Sequence, residues 1–165
     1  MPTQGGYIMN GVSQLRITDD VSLITFSKVP NNLKTISQIF NAFADAGINI
    51  DMVSQTAPQG QYVTFSFTVG TQDTVKVLSL ANSLKDQMDG VKPMVITGTC
   101  KIQLYGEEMP EMHGVFARAI ASVAGTEADL LLITTSEVDI SLLVTSAHVH
   151  EAVEALERDF AVTAE

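Results

Sequence analysis

The sequence predicts an α+β protein in which one small sandwich, antiparallel strands with helices on one face, is written twice. Three observations predict it. Apolar residues switch repeatedly between a spacing of two, which marks a half-buried strand, and a spacing of three to four, which marks a helix with one apolar stripe. The order of those segments recurs in the second half of the chain. Of 165 residues, 45% are hydrophobic and 17% charged, enough apolar surface to offset chain entropy in a folded globule.

The elements follow in order. Tyr7 to Ile17 and Val21 to Ser27 are strand-like runs separated by Thr18-Asp19-Asp20, a turn composition. Pro30-Asn31-Asn32 is a breaker, after which Ile36, Ile39, Phe40, Phe43 and Ala44 place one apolar stripe on a helix that Gly47 can close in a left-handed cap. Ile48 to Gln55 is expected as a strand, and Pro58-Gln59-Gly60 as a loop. Val63, Phe65, Phe67 and Val69 then alternate with Thr64, Ser66 and Thr68, giving the clearest strand of the chain with a polar face left for solvent. A second helix spans about Asp73 to Met88, with Val77, Leu78, Ala81, Leu84 and Met88 on one side.

From Lys92 strand character returns through Val95-Ile96 to Cys100, Ile102 and Leu104. Gly106 to Gly114 is a loop, and a third helix carries Val115, Phe116, Ala119, Ile120, Val123 and Ala124. Strands Leu130 to Thr135 and Val138 to Thr145 follow, and a last helix carries Val149, Ala152, Val153, Leu156 and Phe160. Ile36, Phe40, Phe43 and Ala44 fall on Phe116, Ile120, Val123 and Ala124 at an offset of 80. Beyond the first hairpin the offset is 75, so the missing residues lie at the loop around Pro58-Gln59-Gly60, where length change is cheapest. Each repeat fits the βαββαβ order of ferredoxin-like folds, whose helices cover one sheet face. A short repeat also leaves a sheet edge open, so two repeats or two chains are expected to join sheets.

Charge narrows the function. The net charge is −10, and residues 99–165 carry 3 basic against 12 acidic groups. Affinity for nucleic acid comes largely from Lys and Arg displacing counterions, so neither nucleic acid nor an anionic membrane is expected as a partner. The aromatic strand Gly60 to Phe67 resembles an RNA-stacking strand only loosely, since it opens with no basic residue. Cys100 is the single cysteine, and no secretory leader or membrane span is evident, so a cytoplasmic setting is expected. His113, His148 and His150 form no ligand set, and no phosphate-binding glycine loop or nucleophile triad appears. No catalytic residue, metal or cofactor is expected.

Two loop-to-helix junctions remain, Val29 to Thr35 and Met109 to Val115, each expected to face a strand that opens with polar residues. These are Asn49 and Asp51 in the first repeat and Asp129 in the second. A helix N-terminus offers free backbone N–H groups to a carboxylate, and a nearby Asp can take an ammonium. Those are the two ends of a free amino acid. The plain alternative is that Asn49 and Asp51 end a surface turn.

Val21-Ser22-Leu23-Ile24-Thr25 to Val29-Pro30, Ile39-Phe40 and Asp45-Ala46-Gly47-Ile48-Asn49-Ile50-Asp51-Met52-Val53-Ser54-Gln55 resemble the first ACT domain of bacterial aspartate kinases. Gly106, Met109, Gly114-Val115, Ile133-Thr134-Thr135-Ser136-Glu137-Val138 and Ile140-Ser141 are similar to the second. The likeness covers about residues 7–162.

It implies a regulatory module that binds an amino acid, lysine or threonine first, where ACT domains meet, and that forms a homodimer through them. It implies feedback control of aspartate-family amino acid biosynthesis, with an aspartate kinase catalytic chain as a further partner. It places one ACT domain at residues 19–94, inserted into a second made of 7–18 plus 95–165. By position, Asn31, Asn49, Ile50, Asp51 and Gln55 would hold the effector, with Gly114, Val115, Asp129 and Leu130 at the equivalent place in the second repeat.

Three departures stand out. Asn31-Asn32-Leu33-Lys34 replaces the usual Asp-x-Pro-Gly, His113 stands where proline is usual, and Asp129-Leu130-Leu131-Leu132 replaces Asn-Ile-Glu-Met. The kinase's Lys-Phe-Gly-Gly string is missing, so no phosphate transfer is expected of this chain. The alternatives are a free-standing ACT sensor and a ligand-free dimerisation module.

Overall fold

The computed structural model describes residues 10–86 and 89–165. The expected strand residues Tyr7 to Met9 and the expected helix residues Gln87 and Met88 lie outside the described residues. The chain divides into two compact units: Asp19–Thr99, called unit 2, and the segment up to Thr18 together with Cys100–Glu165, called unit 1.

In unit 2, the later part of β1 (Gln14–Pro30) pairs antiparallel with β3 (Tyr62–Gly70), from Val21 opposite Gly70 to Pro30 opposite Tyr62. The register slips between Phe26 and Val29, where Lys28 takes a φ of 59° and makes a bulge. The short β2 (Val53–Gln55) lies on the other side of β3, and the first part of β4 (Lys92–Tyr105) lies beside β1. Helices α1 (Leu33–Asp45) and α2 (Thr74–Ser83) bury Ile39, Phe43, Val77 and Ala81 against Ile24, Phe26, Val63, Phe65 and Phe67. Phe67 is 0% exposed, and Phe26 meets it edge-on at 5.2 Å. Such side chains contribute about 1.5–3 kcal/mol each through burial.

In unit 1, β5 (Leu130–Thr135) and β6 (Asp139–Thr145) form an antiparallel hairpin, and β4 runs between β6 and β1. Helices α3 (Val115–Ala124) and α4 (Val149–Phe160) pack on Leu15, Ile102, Leu104, Leu142 and Val144. Arg118 on α3 lies 4.6 Å from the centre of the Phe160 ring on α4, and its Nη2 donates to the Asp159 carbonyl at 2.9 Å. The chain's end returns to the sheet: Glu165 N–H donates to Leu15 O, and Ile17 N–H to Glu165 O. Each unit thus has an antiparallel sheet with two helices on it, the α+β arrangement expected.

Four local expectations are corrected. Thr18-Asp19-Asp20 does not interrupt β1: the strand runs from Gln14 to Pro30 and absorbs the left-handed φ of 54° at Asp20 as a local irregularity. Only Val53–Gln55 of the run from Ile48 is strand. Ile48 N–H is committed to Phe43 O and Gly47 N–H to Ala44 O, the paired bonds of a Schellman cap. Met52 N–H then goes to the Thr68 hydroxyl at 2.9 Å rather than to a ladder carbonyl. Thr68 is therefore buried, 1% exposed, and not left for solvent. Finally, α2 ends at Ser83, short of its expected end. Among the described residues, no helix is long and apolar enough to cross a membrane, and no group of three or more His, Cys, Asp or Glu stands close enough to hold a metal.

Candidate functional site

The two helix starts are built differently. At α1 the N-cap is Asn32, whose backbone is extended at φ −138°. Its Oδ1 accepts from the N–H groups of Lys34 at 3.0 Å and Thr35 at 3.2 Å. The donors that a bound carboxylate would use are therefore already engaged. Asn31 beside it is exposed and donates its own N–H to Gln61 O.

At α3 the N-cap is Gly114, at φ 83°, and no side chain caps the helix. Arg118 N–H closes the first turn onto Gly114 O, which leaves the first-turn N–H groups, beginning with those of Val115 and Phe116, without an intrahelical acceptor. A cavity of about 510 Å³ opens at this end of α3. Gly114, Val115 and Phe116 line one side, Met109 and Met112 another, and Ile133, Thr135, Ser136, Glu137 and Ile140 the third.

The third wall is the β5–β6 hairpin, and its tip is held firmly. Ser136 Oγ accepts from the N–H groups of Val138 and Asp139, both at 3.2 Å, while Ser136 N–H donates to Asp139 O. Gln103 Nε2 donates to the Asp139 carboxylate at 2.7 Å, and Gly106 N–H to Val138 O at 2.9 Å. These bonds fix the backbone on both sides of Glu137. Glu137 itself is exposed, and among the described residues its carboxylate makes no hydrogen bond or ion pair. Uncapped N–H donors and an uncommitted carboxylate thus line one cavity, matching the opposite charges of an α-amino acid.

The expected site residues divide accordingly. Gly114 and Val115 line the cavity. Asp129 and Leu130 do not: they sit past the C-terminal end of α3, a helix of 10 residues, or about 15 Å. Asp129 O accepts from Thr145 N–H, and Leu130 packs on the unit 1 core. In unit 2, Asn31 precedes α1 and Asn49, Ile50 and Asp51 follow it, so 13 helical residues, about 20 Å, separate the two groups. Asp51 N–H is held by Thr68 O at 3.1 Å. Gln55 ends β2 opposite Phe65, toward the end of β3 that meets Pro30, and so lies nearer Asn31 than Asp51 does.

A helix lying between a loop and the next strand puts those two segments at opposite ends of the unit. The expectation that each helix start faces its own polar strand opening does not hold within either unit. Met109 and Met112 fall within the junction that the sequence singled out, whereas sequence reasoning passed over Phe116, Thr135 and Glu137 as site residues. The available signal was the Thr-Ser-Glu-Val string, four residues that a two-residue hairpin tip brings to the start of α3.

The sequence pattern of the ACT domain matches residues 22–86 and again residues 102–160. The chain is 27% identical over 154 residues to an aspartokinase of Geobacillus stearothermophilus, an alignment that covers 93% of this chain and 37% of that protein. It therefore spans little more than a third of the length of that curated relative. It superposes on aspartokinase alpha and beta subunits with a TM-score of 0.81 at 26% identity, covering 91% of this chain and 99% of that one. It shares its fold with the ligand-free regulatory subunit of aspartate kinase from Thermus thermophilus, at a TM-score of 0.82, 24% identity and coverage of 91% and 99%. With one ACT match inside each compact unit, the chain belongs to the ACT-domain family, as a tandem pair related to the regulatory part of aspartate kinases.

Proposed function

We propose that this chain is an amino-acid-sensing regulatory module of an aspartate kinase, exerting feedback control on aspartate-family amino acid biosynthesis. An α-amino acid, with lysine and threonine the first candidates by family likeness, places its carboxylate at the α3 N-terminus and its ammonium at Glu137. The supporting observation is the unit 1 cavity, in which the uncapped helix start and the partnerless carboxylate share one space. Binding acts by favouring one arrangement of paired ACT domains over another. A coupling of about 1–3 kcal/mol would change the activity of a kinase catalytic chain by roughly five- to a hundredfold.

The division at Asp19 and Thr99 supports one ACT domain inserted within the other. Pairing with a second copy is supported by β2, a three-residue strand at the sheet edge of unit 2 whose Val53 is 46% exposed. Because Asn31 and Asp51 lie at opposite ends of α1, a second copy would be needed to bring such groups onto one ligand.

Thermal denaturation of the chain with each common amino acid at millimolar concentration tests the proposal. At least one should raise the midpoint, and Glu137→Gln should abolish the rise. A flat response to every amino acid would count against it. A ligand-free pairing role for unit 2 is favoured by the Asn32 cap, which occupies the α1 donors. It predicts that Asp51→Ala leaves every amino-acid response unchanged while the sedimentation mass stays that of a dimer.

A further inference from the structure

Residues 162–165 cover a sheet edge of unit 1. The first part of β1 has β4 on one side, where Ser13 N–H donates to Tyr105 O at 2.8 Å. Its other side is taken by residues 162–165, which run parallel to it. Ala164 pairs with Leu15, Glu165 N–H donates to Leu15 O at 2.9 Å, and Ile17 N–H donates to Glu165 O at 3.1 Å. Val162 and Ala164 pack on the core while Thr163 and Glu165 are exposed, the alternation of a strand. Helix α4 ends at Ala161, whose left-handed φ of 52° turns the chain back, and Glu157 Oε1 accepts from Ala164 N–H at 2.7 Å.

We infer that residues 162–165 are an autoinhibitory strand, which closes the β1 edge of unit 1 against pairing with a second copy of this chain. Parallel pairing is the weaker kind of ladder, and a short strand joined through a left-handed residue opens more readily than the core. Once it lifts, Leu15 O and Ile17 N–H stand unpaired in a run that turns Leu15 and Ile17 inward and leaves Arg16 and Thr18 exposed. That run is a template for strand addition. A second copy fits it because every copy carries the same edge, and two such edges pair about a twofold axis with no further molecule. The docked strand is itself too short to be such a template. Its exposed Glu165 also repels another copy of a chain whose net charge is −10. With pairing through β2 of unit 2, as proposed above, a second open edge would turn a closed dimer into a growing chain. How large the opened assembly becomes rests on that pairing, whereas the opening of the edge does not.

Sedimentation velocity of the full chain, Glu165→Pro and Val162→Asp over a range of concentrations, with hydrogen exchange at the Ile17 amide, tests this. Glu165→Pro removes the N–H that Leu15 O accepts and keeps both inward side chains. Val162→Asp instead lifts the strand through its apolar contact. Both variants should keep native circular dichroism and speed Ile17 exchange at least about tenfold in dilute protein. Both should also exceed the parent's mass by about twofold or more as concentration rises. A monomeric parent with variants of doubled mass would support the covering strand and count against pairing through β2. Fast Ile17 exchange at the parent's mass would overturn the inference, as would Ile17 protection equal to the parent's in both variants. Loss of native circular dichroism in both would make these residues part of the fold rather than a cover, and would overturn it too.

Discussion

The Asn32 side chain accepts the backbone N–H of Thr35 at 3.2 Å, and through the same oxygen that of Lys34, so α1 begins on a cap supplied by its own chain. Substituting alanine removes the acceptor and should destabilise the protein by about 1 kcal/mol. Glycine should cost only a few tenths, and aspartate should match or exceed asparagine because its charge also meets the positive end of the helix. Urea denaturation of the three variants should therefore rank them Asp, Gly, Ala from most to least stable, with Asn32→Asp at or above the parent chain.

Gly106 is the tightest glycine among the described residues of unit 1. A Cβ built on it would stand 1.8 Å from the carbonyl oxygen of Gly11 and 3.1 Å from the Cα of Val12. Both obstacles are backbone, so no side-chain rotation relieves the clash, and the strand pairing between Ser13 N–H and Tyr105 O would have to open. Gly106→Ala should destabilise by roughly 3 kcal/mol or more, at the severe end for a single substitution. Gly114→Ala meets no atom within 4 Å and should be limited to the strain of its left-handed φ of 83°. Comparing the two by thermal melting separates crowding from conformational strain.

Asp159 ties the end of α4 to α3. Ser122 Oγ donates to its carboxylate at 2.6 Å, and Arg158 Nε donates to the other oxygen at 3.1 Å. The Ser122 bond first, and Arg158 after it, hold this carboxyl below the usual carboxylate range. In the unfolded chain it titrates near about 3.9. The folded state thus favours the ionised form, and the stabilisation is present above that value and lost as pH falls through the lower folded one. The difference in melting temperature between the parent chain and Asp159→Asn should be largest near neutral pH and shrink as the solution is acidified below about pH 4. Glu151 is shifted the same way, by the His148 ring first and the Glu127 N–H next, so acid should weaken both ends of α4.

The elements whose signal is local were legible in the sequence. Ile36 to Ala44 and Val115 to Ala124 carry helical stripes wide enough to name the helix and its buried face, and Val63 to Val69 alternates cleanly. What escaped depends on partners distant in the chain. Thr68 reads as a solvent-facing residue until Met52 N–H, 16 positions away, takes its hydroxyl. The bond from Glu165 N–H to Leu15 O spans 150 positions and has no local signal. At the candidate site, Gly114 and Val115 were legible from the loop-to-helix junction and from the resemblance to the second ACT domain. Glu137 was not, because its place beside α3 arises from the hairpin turn. Asn31 attracted attention where its neighbour Asn32 does the capping, since two adjacent asparagines at a breaker look alike until backbone geometry distinguishes them.

The aromatic core of unit 2 yields the last prediction. Phe67 is fully buried and meets Phe26, Phe40 and Phe43 with ring centres at 5.2, 5.8 and 5.8 Å. It sits mid-strand in β3, paired with Ile24 on β1 and Val53 on β2, so the backbone there cannot collapse to fill a void. Phe67→Ala removes a ring's worth of burial and leaves a cavity, at about 3–5 kcal/mol. Phe67→Leu keeps most of the volume but loses the edge-on ring contacts, and should cost roughly 1–2 kcal/mol. Phe40 is only partly buried and lies at the margin of the same cluster, so Phe40→Ala should fall below Phe67→Ala. Urea midpoints for the three variants, followed by circular dichroism at one slope, test that order; equal losses for Phe40→Ala and Phe67→Ala would mean that the strand relaxes around the void.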